Sequence, residues 1–338
     1  MHGEKIMLEF KHPPQAANHI RKILKAYQQI NSSDVFPVDV KQVALELSKQ
    51  WFPSEPIVDV KADSFGEKFN GLLTPSSPTY PRKWMILYNY SIKSEGRQNF
   101  TIAHELGHYL LHRHLSPPNG FKCSGRNMSE WEKNQINTIE PEANEFASYL
   151  LMPLDDLRHQ IGKNTISPSL IEHLADRYMV SRLAILLKWV SMTEERAQLV
   201  VSEEGCFKWA KSSNPLFKSG IYHKKQEFKV IPQESAASSS FQHGQWITKK
   251  HGNDIWSEEE VIEMAFSSYD QEGSITISLL IFPKDAPPKE NYDPDSIEVI
   301  NPNQIGLDVE EKEPYISPKC RIFDDDESTI FDEQTLKW

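Results

Sequence analysis

His104, Glu105 and His108 fall in the pattern H-E-x-x-H, in the segment His104-Glu105-Leu106-Gly107-His108. On a helix, positions i and i+4 share a face, so both imidazoles can meet one metal ion. Zinc suits two neutral imidazoles with a carboxylate and leaves a position open for water. Glu105, beside the first ligand but not itself one, can take a proton from that water and later deliver it to a leaving amine. A five-residue pattern also arises by chance on a polar surface helix. Here Phe100, Ile102 and Ala103 precede it and Tyr109, Leu110 and Leu111 follow, so the helix is expected to be buried. A buried His-Glu-His needs partners, and a metal supplies them.

The third ligand must come from elsewhere. His112 lies eight residues past His104, about 12 Å along a helix axis, too far to join one zinc. His114 has the metzincin spacing, but the Gly that turns such chains back is replaced by Leu111. The better source is IEPEANEFASYLLMP at 139–153. There Glu140 and Asn144 share a helix face as ligand and supporting partner, and Ala143 and Ala147 permit close packing. Glu142 is the alternative ligand. Either acid alone could be a solvated residue at a helix start, favoured by the dipole.

The rest of the chain must position these groups. Residues 14–32 and a stretch opening at Asp39 have helical spacing. IVDVKADSF, KFNGLLTP and KWMILYNYS between 57 and 91 predict a small sheet. FTIAHELGHYLLHRH at 100–114 predicts a helix, followed by a loop and a second helix from about 139 to 152, ended by Pro153. Residues 168–192 have a helix-turn-helix-like rhythm jointed at Val180-Ser181. Strand patterns follow at 200–205 and 261–282, the latter with a hairpin turn at Asp270-Gln271-Glu272-Gly273. ESAASSS at 234–240 is expected to be a flexible surface loop. The boundaries expected are 1–160, 161–198, 199–320 and an acidic tail, 321–338.

Composition fits this picture. The 338 residues are 38% apolar and 25% charged, which excludes wholesale disorder. The net charge of −11 sits mainly in residues 284–338, which hold 15 acidic and 6 basic side chains. Three dispersed cysteines and the absence of a leader or a long apolar run point to a cytoplasmic protein with no membrane partner.

The combination of RQNFTIAHELGHYLLH, a cysteine-containing loop, IEPEANEFASYLLMP, LADRYMVSRLAILLKWV and TEERAQLVVSEEG resembles the ImmA/IrrE family of bacterial zinc metallopeptidases over about residues 15–215. The resemblance implies an α+β chain: a gluzincin-like peptidase domain, a helix-turn-helix-like element and, as in its CapP-like and IrrE-like members, a mixed α/β GAF-like sensor domain. It also implies a function. Such enzymes cut a partner transcriptional repressor, often itself helix-turn-helix, and so induce DNA-damage, mobile-element or phage-defence genes. The zinc ligands would be His104, His108 and Glu140, with Glu105 as general base. Cys123, in the loop FKCSGRN, would be an inhibitory fourth ligand whose thiolate displaces the water.

Further readings concern the surroundings. Residues 207–229 hold six lysines and one glutamate among five aromatics. Lys208, Trp209, Lys211, Lys218, Tyr222, Lys224 and Lys225 could bind a single-stranded DNA activator, or alternate as a strand with aromatics in and lysines out. Asn70-Gly71-Leu72-Leu73 could be an edge strand that pairs with substrate, and Tyr149 could polarise a carbonyl. Two other functions fit less well: a DNA-binding regulator with a structural or relic metal site, and a sensor that cleaves only itself. The segment RLAILLKWV is poor in residues that read bases.

Overall fold

The structure is a computed structural model. It describes residues 10–31, 34–64, 70–76, 82–92, 94–115, 130–221, 230–242, 244–269 and 274–284, with the backbone alone at 130–138 and 269. The N-terminal part opens with α1 (Pro13–Asn31), which buries Ala16, Ala17 and Ile20, and α2 (Val40–Trp51). Asp39 caps α2 by accepting from the Gln42 N–H. A three-stranded sheet follows, of β1 (Ile57–Asp63), β2 (Gly71–Pro75) and β3 (Trp84–Asn89), in the order β1-β3-β2. β3 is parallel to β1 and antiparallel to β2, so β2 is paired on one side only among the described residues.

The next helix, α3 (Glu95–His112), starts at Ser94, whose hydroxyl accepts from the Arg97 N–H. From Phe100 to His112 every residue is buried. A helix enclosed all round lies in the middle of a core, and α3 has β2 and β3 on one side and α4 (Glu130–Leu151) on the other. α4 begins well before the expected residue 139. The Ile-Glu-Pro-Glu sequence looks like a helix start because proline suits a first turn, yet the helix runs through Pro141. Burial of Ile139, Ala143, Phe146, Ala147 and Leu150 against the core outweighs the one hydrogen bond proline cannot make.

After α5 (Leu154–Ile161) come α6 (Pro168–Tyr178) and α7 (Arg182–Met192), jointed at Val180-Ser181. Met179 ends α6 in the left-handed conformation, and Ser181 caps α7. α7 buries Ala184, Ile185, Leu186, Lys188, Trp189 and Val190. Its surface is committed to the core and presents no polar face suited to a DNA groove.

The chain then forms an antiparallel sheet of β4 (Ala197–Glu203), β5 (Cys206–Ser212), β6 (Trp246–His251), β7 (Val261–Tyr269) and β8 (Ser274–Ile281), with α8 (Asn214–Lys218) after β5. The strand order is β5-β4-β8-β7-β6. Glu204 and Gly205, both at positive φ, turn β4 into β5. Strand alternation divides the apolar residues between two faces. Leu199, Val201 and Leu279 join the core shared with α7, while Val200 and Leu280 cover the other face with Leu216, Ile231 and Trp256. Cys206 is disulfide-bonded, which departs from the cytoplasmic setting expected from three dispersed cysteines. The turn at 270–273 lies outside the described residues. No helix among those described is long and apolar enough to cross a membrane.

The loop at 234–240 is not flexible in the sense expected. Glu263, fully buried on β7, accepts from the Ala236 and Ala237 N–H groups, Trp256 Nε1 and Ser278 Oγ at 2.6–3.0 Å. His251 Nε2 lies 2.8 Å from the same carboxylate. A buried carboxylate is tolerated only where its oxygens are satisfied, and here the Ser-Ala-Ala backbone satisfies them. Glu263→Ala is therefore expected to lower the unfolding free energy by about 3 kcal/mol or more, because several buried donors lose their acceptor at once. Urea denaturation checks this. A loss under about 1 kcal/mol would mean the loop is held by other contacts.

Candidate metal centre

Two buried helices build the site. Gly107, on the α3 face turned to α4, permits the approach. A Cβ there would lie 3.0 Å from Phe146 Cδ1 and 3.2 Å from the Ala143 Cα and carbonyl oxygen. One turn along, that spacing brings His104 and His108 against Glu140. His104 Nε2 is 3.2 Å from Glu140 Oε2, and His108 Nε2 is 3.2 Å from Glu140 Oε1. The two Nε2 atoms are 2.9 Å apart. One ligand atom from each residue falls within 4.8 Å of the others, a cluster that could hold a metal ion.

The electrostatics favour a cation at this point. Burial alone would push the Glu140 carboxyl up, but the charge and hydrogen bonds of His108 and His104 prevail and hold it well below the usual range. Two imidazole nitrogens and a carboxylate, aimed at one another, form a borderline-soft donor set of the kind zinc takes. The outward ring nitrogens are also engaged. His104 Nδ1 meets Asn144 Oδ1 at 2.8 Å, the partner expected one turn after Glu140.

Glu142, the alternative ligand, is turned elsewhere. Its Oε2 lies 2.8 Å from His112 Nε2, and His112 Nδ1 lies 3.1 Å from His108 Nδ1. His112 thus sits behind His108, where sequence reasoning assigned it no role. The signal was present in the four-residue spacing of His104, His108 and His112. Burial, with His108 adding to it, lowers the His112 pKa to about 3, so its ring is neutral at neutral pH. His114 is exposed on the 3-10 turn after α3.

Glu105 is buried and faces β2. A Cβ at Gly71 would lie 2.7 Å from Glu105 Oε1 and 2.5 Å from Thr101 Cγ2. The NGLL segment is thus the strand along which the Glu105 carboxylate runs. Tyr149 is partly buried, with the Lys188 ammonium 3.9 Å from its ring centroid.

In the described part of the basic segment, residues 207–221, the aromatics do not share one face. Lys208 Nζ pairs with Glu203 at 3.2 Å, and Trp209 packs on the main core while Phe207 packs on the opposite side of the sheet. Lys211 is largely buried, and that burial lowers its pKa to about 8. Lys218 lies on α8, beside Glu194, Glu195 and Arg196 in a surface cavity. Cys123, Tyr222, Lys224 and Lys225 lie outside the described residues.

The contact at Gly71 yields a test. Gly71→Ala should force Glu105 or β2 to move and slow about 10-fold or more any hydrolysis that uses Glu105 as its base, since ångström misplacement of a reacting group costs that much. Metal content should stay at the parent level. An unchanged rate would show that the carboxylate at 105 does not need this strand.

Comparison with known proteins agrees with the geometry. No curated protein matches the chain. Residues 58–189, from β1 to α7 and including both histidines and Glu140, match the family model of the IrrE N-terminal-like domain, peptidase M78. Residues 58–189 are therefore similar to a peptidase M78 domain, which supports the resemblance to the ImmA/IrrE family over that part of the chain.

Proposed function

We propose that this chain is a zinc-dependent endopeptidase that cleaves a partner transcriptional repressor. The observation that carries the catalytic reading is the convergence of His104 Nε2, His108 Nε2 and both oxygens of Glu140 beside a carboxylate, Glu105, that is not one of the converging ligands. His104, His108 and Glu140 would hold the ion. When bound, zinc would supply a Lewis acid for the scissile carbonyl and lower the pKa of water.

The protein groups do the rest. Asn144 Oδ1 accepts from His104 Nδ1–H and so leaves Nε2 free as a ligand. Glu105 takes the proton from the attacking water and returns it to the departing amide nitrogen. The burial of α3 keeps bulk water from these groups. β2, paired only with β3 among the described strands, offers its backbone N–H and C=O groups to an extended substrate passing Glu105.

The repressor as substrate is supported by the family resemblance. A cytoplasmic enzyme of broad specificity would damage its own proteome, which favours a single dedicated target. The five-stranded sheet is the part to which we assign the GAF-like sensor role, supported by its sharing of a core with α7. A nucleic-acid activator gains nothing from the described lysines, which are paired, buried or on separate surfaces. A purely DNA-binding regulator is disfavoured by the burial of α7.

Purified protein should cut its cognate repressor in trans only with zinc present. Glu105→Gln should keep the metal and lose about three or more orders of magnitude in rate, as loss of both the base and the later acid requires. His104→Ala combined with His108→Ala should lose the metal. Full cleavage by Glu105→Gln, or zinc retained by the double variant, would sink the assignment.

A further inference from the structure

Between His108 and His112, two Nδ1 atoms face each other at 3.1 Å, and a hydrogen bond there needs one proton. It can sit on either ring. On His108, the proton is donated to His112 Nδ1, and His108 Nε2 carries a bare lone pair towards His104 and Glu140. His112, accepting at Nδ1, then has its own proton on Nε2, which it donates to Glu142 Oε2 at 2.8 Å. On His112, the arrangement suits Glu140, whose Oε1 lies 3.2 Å from His108 Nε2 and accepts from it without a metal, but it suits neither Glu142 nor a metal ion. A neutral His112 protonated on Nδ1 turns a bare Nε2 lone pair at the carboxylate oxygen 2.8 Å away, and His108 carries its hydrogen on Nε2, where a metal would have to bind.

We propose that His112 and Glu142 are positioning residues which set the tautomer of His108, the Glu142 carboxylate selecting through His112 the form whose Nε2 lone pair faces the metal position. The proposal rests on the zinc reading above, and it concerns two residues that touch neither metal nor substrate. The relay is enclosed where selection matters. His112 is 3% exposed, so no water competes for its ring nitrogens, while the Glu142 side chain is about half-buried and reaches it from α4. His104 needs no such relay, because the Asn144 carbonyl oxygen can only accept. The two histidines are thus set by different means from the same helix, Asn144 acting directly and Glu142 acting at one remove.

The test uses two substitutions that differ in hydrogen bonding. His112→Phe fills the space but neither accepts nor donates. His112→Gln can accept from His108 through its carbonyl and donate to Glu142 through its amide. Chelator competition should show zinc affinity reduced about 10–100-fold in His112→Phe and within about threefold of the parent in His112→Gln, the range expected for supporting partners of ligands. Ring-nitrogen NMR of the metal-free proteins should show a larger share of His108 protonated on Nδ1 in the parent and His112→Gln than in His112→Phe, where Glu140 alone draws the proton to Nε2. Glu142→Ala, at a half-buried position, should shift the same resonances towards Nε2 protonation and provides the answer if His112→Phe does not fold. Parent-like tautomers in both His112→Phe and Glu142→Ala would overturn the proposal. Because that readout needs no metal, a chain that binds no zinc would refute the functional reading alone.

Discussion

The approach of α3 to α4 at Gly107 is the contact on which the site depends. A Cβ at this position would meet the Phe146 ring at 3.0 Å and the Ala143 backbone at 3.2 Å, so either would have to give by a few tenths of an ångström. That closeness places the Glu140 carboxylate at 3.2 Å from both imidazoles. A larger side chain at 107 would press on α4 at the point where it carries Glu140, because cores at native density do not absorb methyl groups without shifts. The burial of α3 is the second condition, since it makes unpaired polar groups costly and a shared cation favourable. Core packing and metal chemistry therefore bear on the same few residues of H-E-L-G-H: its histidines and its glycine look to α4, and its glutamate looks to β2.

Much of this site was legible in the sequence because it depends on short-range periodicity. His104 and His108 at i and i+4, the apolar residues flanking them, and Glu140 with Asn144 at the same spacing all encode faces of helices. The small sheet and the joint at Val180-Ser181 were legible through turn residues and strand alternation. The start of α4 was not, since Pro141 imitates a first turn and only tertiary packing carries the helix through it. Which of Glu140 and Glu142 faces the imidazoles, and what His112 does, depend on the mutual rotation of two helices far apart in sequence. No local pattern carries that information.

The C-terminal sheet shows the same limit from the other direction. Ser and Ala in ESAASSS suggest a loop without anchors, yet its amide groups are held by Glu263, some 27 residues away on β7. The aromatics of 207–211 are expected on one face of the chain, either stacking on a nucleic acid or packed inward from a strand. The bend in pairing between Val201 and Ser202 instead sends Phe207 and Trp209 to opposite sides of the sheet. The core that unites α7 with β4 and β8 also connects this sheet to the helix bearing Glu140, because Lys188 of α7 donates to Ser148 of α4 at 3.1 Å.

The central claim is that one zinc ion is shared by His104, His108 and Glu140. Zinc-edge X-ray absorption on the purified chain addresses it most directly. The account predicts about one zinc per chain, nitrogen and oxygen neighbours at ~2.0–2.2 Å, and the outer scattering of two imidazoles, with occupancy lost in Glu140→Ala. Zinc that lacks imidazole scattering, or that keeps an unchanged coordination shell in Glu140→Ala, would contradict it.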